Sequence, residues 1–190
     1  SAVQLWRDPK ILMLQCTNLT FGFAAAWLGG YVSRNILSKA LNADFIGFAG
    51  ALLSALAAVL SRLFGAVAAS IGKGPVVALG AASFFLLGAL SRWVGNPTQW
   101  GVGVLLFYVL MGVGRAVYES TNKAIFADFF PGEKSAGAFA NVFIFSTGSS
   151  SIAFVLGATQ QVMPELYLLL IFSALTVPAY CLATLMKKQH

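Results

Sequence analysis

Residues 101–130 read GVGVLLFYVLMGVGRAVYESTNKAIFADFF, a strongly apolar stretch with an arginine and a glutamate near its middle. A helix crosses a bilayer with about 20 such residues, and a charged side chain at its centre costs about 2.5–3.5 kcal/mol on insertion scales. Arg115 and Glu119 are four residues apart, so a helix places them on one face. The two charges therefore either neutralise each other or line a path for water or substrate. Gly112 and Gly114 are expected to weaken the helix at this point.

The composition of the whole chain predicts an integral membrane protein. Of its 190 residues, 58% are hydrophobic and 9% are charged, whereas about 25% are charged in soluble domains. The net charge of +6 comes from scattered basic residues, so no nucleic-acid partner is expected. Cys16 and Cys181 lie in apolar segments and His190 is the single histidine, so we expect no disulfide, metal or cofactor. The start at Ser1 lacks an initiator methionine, which favours a longer precursor.

Six apolar segments predict six transmembrane helices, and we expect the whole chain, residues 1–190, to form one bundle. They cover residues about 11–37, 44–70, 75–94, 99–128, 135–160 and 165–186. More basic residues lie on the side of the two termini than on the opposite side, where Arg34, Lys39 and Arg92 are expected. The positive-inside rule then predicts that both termini are cytoplasmic, or on the equivalent side of an organelle membrane.

The spacing of the six spans suggests an internal repeat. The three spans of each half begin at similar intervals, which divides the chain into halves of about 11–94 and 99–186. Because three spans per half reverse the direction of the second half, this spacing predicts an all-α fold with a 3+3 inverted repeat. Any even helical bundle also produces such spacing, so a bundle without a repeat stays open.

Polar side chains concentrate in the first, fourth and fifth spans, which predicts a shared interior surface. The residues expected to face a cavity or a substrate are Gln15, Asn18, Arg115, Glu119, Asn122, Asn141 and Ser149. Several have a structural alternative, because Gln15 and Asn18 suit interhelical hydrogen bonds and Ser149 suits close helix packing.

Two further patterns predict packing rather than function. Gly50, Ser54 and Ala58 recur at four-residue steps, which is typical of a helix–helix contact. The third and sixth spans are almost free of polar residues, so we expect them to face lipid.

The loop after the second span resembles a signature of the major facilitator superfamily. It reads GAVAASIGK over residues 65–73, and Gly65, Gly72 and Lys73 match the glycines and the basic residue of that cytoplasmic loop. Ala69 and Ser70 stand where the signature has an acidic and a basic residue. Six spans in a three-plus-three arrangement also resemble one half of such a transporter.

A longer stretch, residues 112–154, resembles the Unc-ninety-three-like branch of that superfamily. Gly112, Gly114 and Ala116 precede a polar run, and Ala-Phe-Ala-Asn at residues 138–141 opens the next helix. The resemblance covers nearly the whole chain and implies the C-terminal six-helix half, with its first and fourth helices along a central cavity. It also implies a lipid bilayer and a partner, which is a second six-helix half or other membrane subunits.

Two functions follow from these observations. The first is a transporter-like protein that moves against its partner half around a polar site at Arg115 and Glu119. The alternative is a non-transporting accessory or scaffold subunit of a larger membrane assembly, which the resemblance also permits. An enzyme is not expected, because the chain has no interior histidine and no phosphate-binding glycine loop joined to a strand and a helix.

Overall fold

The computed structural model describes residues 2–188 and is helical throughout its regular elements. Six helices are long and apolar enough to cross a membrane, as the sequence predicts. We number them α1 (Pro9–Ala40), α2 (Phe45–Ile71), α3 (Lys73–Trp93), α4 (Gly101–Phe129), α5 (Lys134–Ala158) and α6 (Val162–Lys188). A short 3₁₀ helix, Val3–Arg7, precedes α1.

Local sequence explains where helices begin and end. Asp8 caps α1, because its Oδ1 accepts a hydrogen bond from the backbone nitrogen of Lys10 at 3.0 Å and Pro9 occupies the first helical position. Gly72 separates α2 from α3 with a φ of +92°, a conformation that glycine adopts without steric cost. The polar loops predicted between spans are therefore short turns at the two ends of the bundle.

Two of the six helices contain π-helical turns. In α1 the stretch Leu28–Leu37 is π-helical, and in α4 the stretch Tyr118–Asn122 is. A π-helical turn takes up extra residues, because its hydrogen bonds join residues i and i+5. Side chains that follow such a turn are rotated relative to their positions in a regular α-helix.

The helices pack in two sets that meet at α3 and α6. In the first set α1 lies between α5 and α6, and in the second α4 lies between α2 and α3. The contact of α3 with α6 joins the sets, and a core that includes Trp27, Phe84, Phe107 and Leu166 fills the space around the junction. The order of neighbours is therefore α5, α1, α6, α3, α4, α2.

Glycines allow the closest of these contacts. A methyl group on Gly22 of α1 would collide with the side chain of Ser149 and the carbonyl oxygen of Ser146 on α5. A methyl group on Gly114 would collide with the ring of Phe84 on α3. α4 does not break near Gly112 and Gly114, because the helix is continuous there and both glycines make room for neighbouring helices.

Candidate polar cavity

The charges of α4 form a cluster of three side chains. Arg115 Nε lies 3.9 Å from Glu119 Oε1, and Lys123 Nζ contacts the other carboxylate oxygen of Glu119. In this chain the side chains of Arg115 and Glu119 are 41% and 34% exposed. Glu119 is therefore shared by two cations, and the cluster carries one net positive charge.

Arg115 lies at the junction of two adjoining open cavities. One has a volume of about 330 Å³ and is bounded by α1, α2 and α4, where it includes Ser33, Ser54 and Tyr108. The other, of about 270 Å³, lies between α2 and α4 and includes Ser54, Ser61 and Glu119. Tyr108 OH and Ser33 Oγ are 2.8 Å apart and hydrogen-bonded, so they place hydroxyl groups on the wall. We call the two adjoining cavities together the Arg115 cavity.

The amide side chains lie elsewhere, in the contact between α1 and α4. Asn122 Nδ2 donates to Asn18 Oδ1 at 2.8 Å, and Asn18 Nδ2 donates to Gln15 Oε1 at 2.6 Å. All three residues are buried, at 1% exposure or less. Gln15 Nε2 has no hydrogen-bond partner among the described residues, and neither has the neighbouring Thr121 Oγ1. This amide chain links the two helices through their buried faces.

The π-helical turn explains why Asn122 is separated from Arg115 and Glu119. In a regular α-helix the spacing of these three residues would put them on one face. The turn Tyr118–Asn122 begins after Arg115 and changes the direction of the following side chains. Asn122 consequently points into the bundle, whereas Arg115 and Glu119 line the open cavity.

Asn141 and Ser149 are also buried, and both make structural contacts. Asn141 accepts a hydrogen bond from Trp6 Nε1 at 2.6 Å, and its Nδ2 donates to the carbonyl oxygen of Ala2 at 2.9 Å. It thereby holds the N-terminal segment against α5. Ser149 is 1% exposed and packs against Gly22, where helices α1 and α5 approach most closely.

Among the residues that match the loop signature, Lys73 forms an ion pair with α4. Lys73 Nζ contacts Asp128 Oδ2 and donates to the carbonyl oxygen of Ala124 at 3.1 Å, both on α4. A Cβ atom at Gly65 would have open space around it, and Gly72 forms the turn. Although Ala69 and Ser70 replace the charged pair of the signature, Lys73 keeps an acidic partner from α4.

Comparison with known proteins finds several similar proteins called protein unc-93 homolog A. The chain is 30% identical to protein unc-93 homolog A of Mus musculus over 184 residues and 32% identical to that of Bos taurus over 181 residues. It is 29% identical to protein unc-93 homolog A of Homo sapiens over 191 residues. The chain is homologous to part of unc-93 homolog A. The resemblance inferred from the sequence is therefore confirmed as homology.

The matches cover 95% to 100% of this chain but 39% to 41% of these unc-93 homolog A proteins, so it spans about two fifths of their length. No family model matches the chain, and no solved structure does. Within residues 2–188, no group of three or more His, Cys, Asp or Glu side chains could hold a metal ion. His190 lies outside the described residues.

Sequence reasoning missed several residues that line the Arg115 cavity. Gly50 and Ser54 were expected to pack against another helix, but both line the cavity, and a methyl group on Gly50 would meet no atom within 4 Å. Ser33 and Tyr108 carried no signal, because an isolated hydroxyl in an apolar span is common. Ser54, Ala58 and Ser61, spaced by four and then three residues, follow one face of α2, and its two serines could have suggested a cavity.

Proposed function

We propose that this chain forms one six-helix half of a transporter of the major facilitator type. The six spans and the sequence matches show an integral multi-pass membrane protein that is homologous to part of unc-93 homolog A. The observation that carries the proposal is the Arg115 cavity, in which charged and hydroxyl groups on membrane-spanning helices face open space. Such groups in a span are costly unless water, substrate or a partner reaches them.

The packing order supports a 3+3 inverted repeat. Exchanging α1 with α4, α2 with α5 and α3 with α6 turns the order α5, α1, α6, α3, α4, α2 into its own reverse. That is the pattern expected when two three-helix units are related by a two-fold axis in the membrane plane. The proposed units are the predicted halves, about 11–94 and 99–186.

The charges of the cavity favour an anionic substrate group. Arg115 is the cation nearest the middle of α4, and because Glu119 pairs with both Arg115 and Lys123, the three side chains keep one net positive charge. A guanidinium binds carboxylate and phosphate through paired hydrogen bonds, so Arg115 is the group that an anionic substrate would contact. We propose that both chain termini are cytoplasmic or equivalent, as the distribution of basic residues indicates.

The open face around Arg115 needs a cover in the membrane. A second six-helix half, from the same precursor or another chain, would close it and leave an aqueous path between the halves. The alternative, a non-transporting accessory subunit, is supported by α2, the least buried of the six spans, which carries the polar and exposed Ser54 beside the cavity. In that case another membrane protein would cover the same face and leave no path.

Thiol labelling combined with uptake distinguishes these functions. In the full chain with Cys16 and Cys181 replaced by alanine, a Ser54→Cys variant is reconstituted in liposomes and treated with a membrane-impermeant thiol reagent. Transport predicts that Ser54→Cys is labelled and that labelling lowers the uptake of radiolabelled organic anions. Ser149→Cys is the matched control and should stay unlabelled, because Ser149 is buried between helices.

Two results would contradict transport. Labelling of Ser54→Cys that occurs only after a co-purified subunit is removed would support the accessory function. No labelling under any condition would mean that lipid covers the face.

A further inference from the structure

A second cavity lies away from Arg115, between α1, α5 and α6. Its volume is about 250 Å³, and its polar lining consists of Tyr31, Arg34, Asn35 and Glu165, while small residues such as Gly30 and Gly157 form the rest of the wall. It lies where α1 and α5 end and α6 begins, so it is near one surface of the bundle and at the depth of lipid headgroups. A cavity of this size suits a small ligand or one headgroup.

Glu165 is the feature of this cavity that needs an explanation. The residue is 4% exposed, and its carboxylate makes no hydrogen bond or ion pair with any residue between 2 and 188. Its Oε2 is the atom nearest to a methyl group built on Gly157, at 3.5 Å, so the carboxylate lies against the glycine-lined wall. A buried carboxylate is costly unless a cation or hydrogen-bond donors reach it.

The surroundings of Glu165 are suited to an ammonium group. Glu165 is in the first turn of α6, where the helix dipole favours the negative charge. Tyr31 presents an aromatic ring on the same cavity, and this ring stacks on Trp27 with 4.4 Å between centroids. A carboxylate and an aromatic face both attract an ammonium group, and one that carries N–H groups can also donate a hydrogen bond to the carboxylate.

The opposite charge is available in the same cavity. Arg34 lines it beside Asn35, and Arg34 makes no ion pair with any described residue. The arginine and the glutamate therefore share a cavity without neutralising each other. A ligand that carries an ammonium and an anionic group a few bonds apart would satisfy both.

We propose that this cavity binds a zwitterion in which a primary ammonium is joined to a phosphate, with the ammonium on Glu165 and the anionic group on Arg34. The headgroup of an ethanolamine phospholipid and free phosphoethanolamine share this chemistry. Phosphatidylcholine carries the positive charge but no N–H group, so it would attract the carboxylate without donating a charge-assisted hydrogen bond to it.

Native mass spectrometry of the full chain tests the site. In the first experiment, the protein is released from nanodiscs that contain either phosphatidylethanolamine or phosphatidylcholine, and the lipid molecules that stay bound are counted. In the second, phosphoethanolamine is titrated into lipid-depleted protein in detergent, and the fraction of protein that carries it is measured. We expect Glu165→Gln and Arg34→Gln each to weaken binding about tenfold, as the loss of a charge-assisted hydrogen bond predicts. The matched controls Asp44→Asn and Arg92→Gln change exposed charges on the same side of the bundle and should bind normally.

Each outcome decides the proposal. Retention of phosphatidylethanolamine over phosphatidylcholine that depends on both residues supports a lipid ligand, and saturable phosphoethanolamine binding with the same dependence supports a free one. Equal retention of both lipids together with no phosphoethanolamine binding overturns the proposal. Normal binding by Arg34→Gln also overturns the proposal. Because Arg34 is exposed, this variant should fold even if Glu165→Gln does not.

Discussion

The amide chain and the charged cluster lie close together along α4 but in opposite environments. Asn122, Asn18 and Gln15 are almost fully buried and bond each other across two helices. Arg115 and Glu119 are about one-third to two-fifths exposed and bond within one helix. The difference shows that polar residues in membrane spans fall into two kinds: those that join helices and those left for water, a ligand or a partner.

Gly22→Ala should give the largest loss of stability, because Gly22 lies at the close contact between α1 and α5. The added methyl group would collide with Ser149 and with the backbone of α5, which cannot move aside as a side chain can. Overpacking of this kind typically costs 1–3 kcal/mol, and we expect about 3 kcal/mol in the free energy of unfolding in detergent.

Gly29→Ala on the same helix is the control for Gly22→Ala. Its methyl group would meet no atom within 4 Å, and Gly29 lines the Arg115 cavity. Its stability should equal that of the parent protein. Equal losses for both variants would show that the contrast between a buried and an open side of α1 is wrong.

Asn18→Leu should cost about 2 kcal/mol, since it removes the central member of the amide chain. Asn122 would lose its acceptor and Gln15 its donor, and each buried group left without a partner costs about 1–3 kcal/mol. Thermal unfolding in detergent measures the loss. Asn35→Leu, at an exposed asparagine of the same helix, should change stability by less than about 0.5 kcal/mol.

Glu119→Gln should have the smallest effect on stability, less than about 1 kcal/mol, because its ion pairs are partly exposed. Arg115→Ala should also be tolerated, since Glu119 keeps Lys123 as a partner. If the proposed transport occurs, both variants lose uptake while the fold is retained. A fall in unfolding free energy as large as that of Asn18→Leu would place the charged cluster among the contacts that join helices.

The sequence predicted the positions of the six helices because hydrophobic length alone decides them. The span predicted at about 44–70 is Phe45–Ile71, and the one at about 75–94 is Lys73–Trp93. It also placed Gln15, Asn18 and Ser149 among residues for which packing was an open alternative. The agreement for the helices comes from a rule that depends on composition and not on three-dimensional neighbours.

The sequence did not predict the directions of side chains. The π-helical turn Tyr118–Asn122, which accompanies the inward direction of Asn122, has no simple pattern in the sequence. The apolar α3 was expected to face lipid, yet about half of its span is buried, because Gly80 and Gly88 let Val117 and Leu166 approach it closely. In α3 the small residues Gly80 and Gly88 therefore mark the face that packs against α4 and α6.

The contacts of Lys73 and Lys187 with Asp128 have a consequence for movement. They tie the start of α3 and the end of α6 to the last turn of α4, since Lys187 Nζ donates to the Asp128 carbonyl oxygen at 2.7 Å. The Asp128 side chain is 55% exposed, and ion pairs in such positions contribute about 0–1 kcal/mol. A contact of that strength breaks and re-forms readily, so the Lys73–Asp128 pair adds little to stability, and these helix ends are held mainly by apolar contacts such as those of Val77 and Ala183.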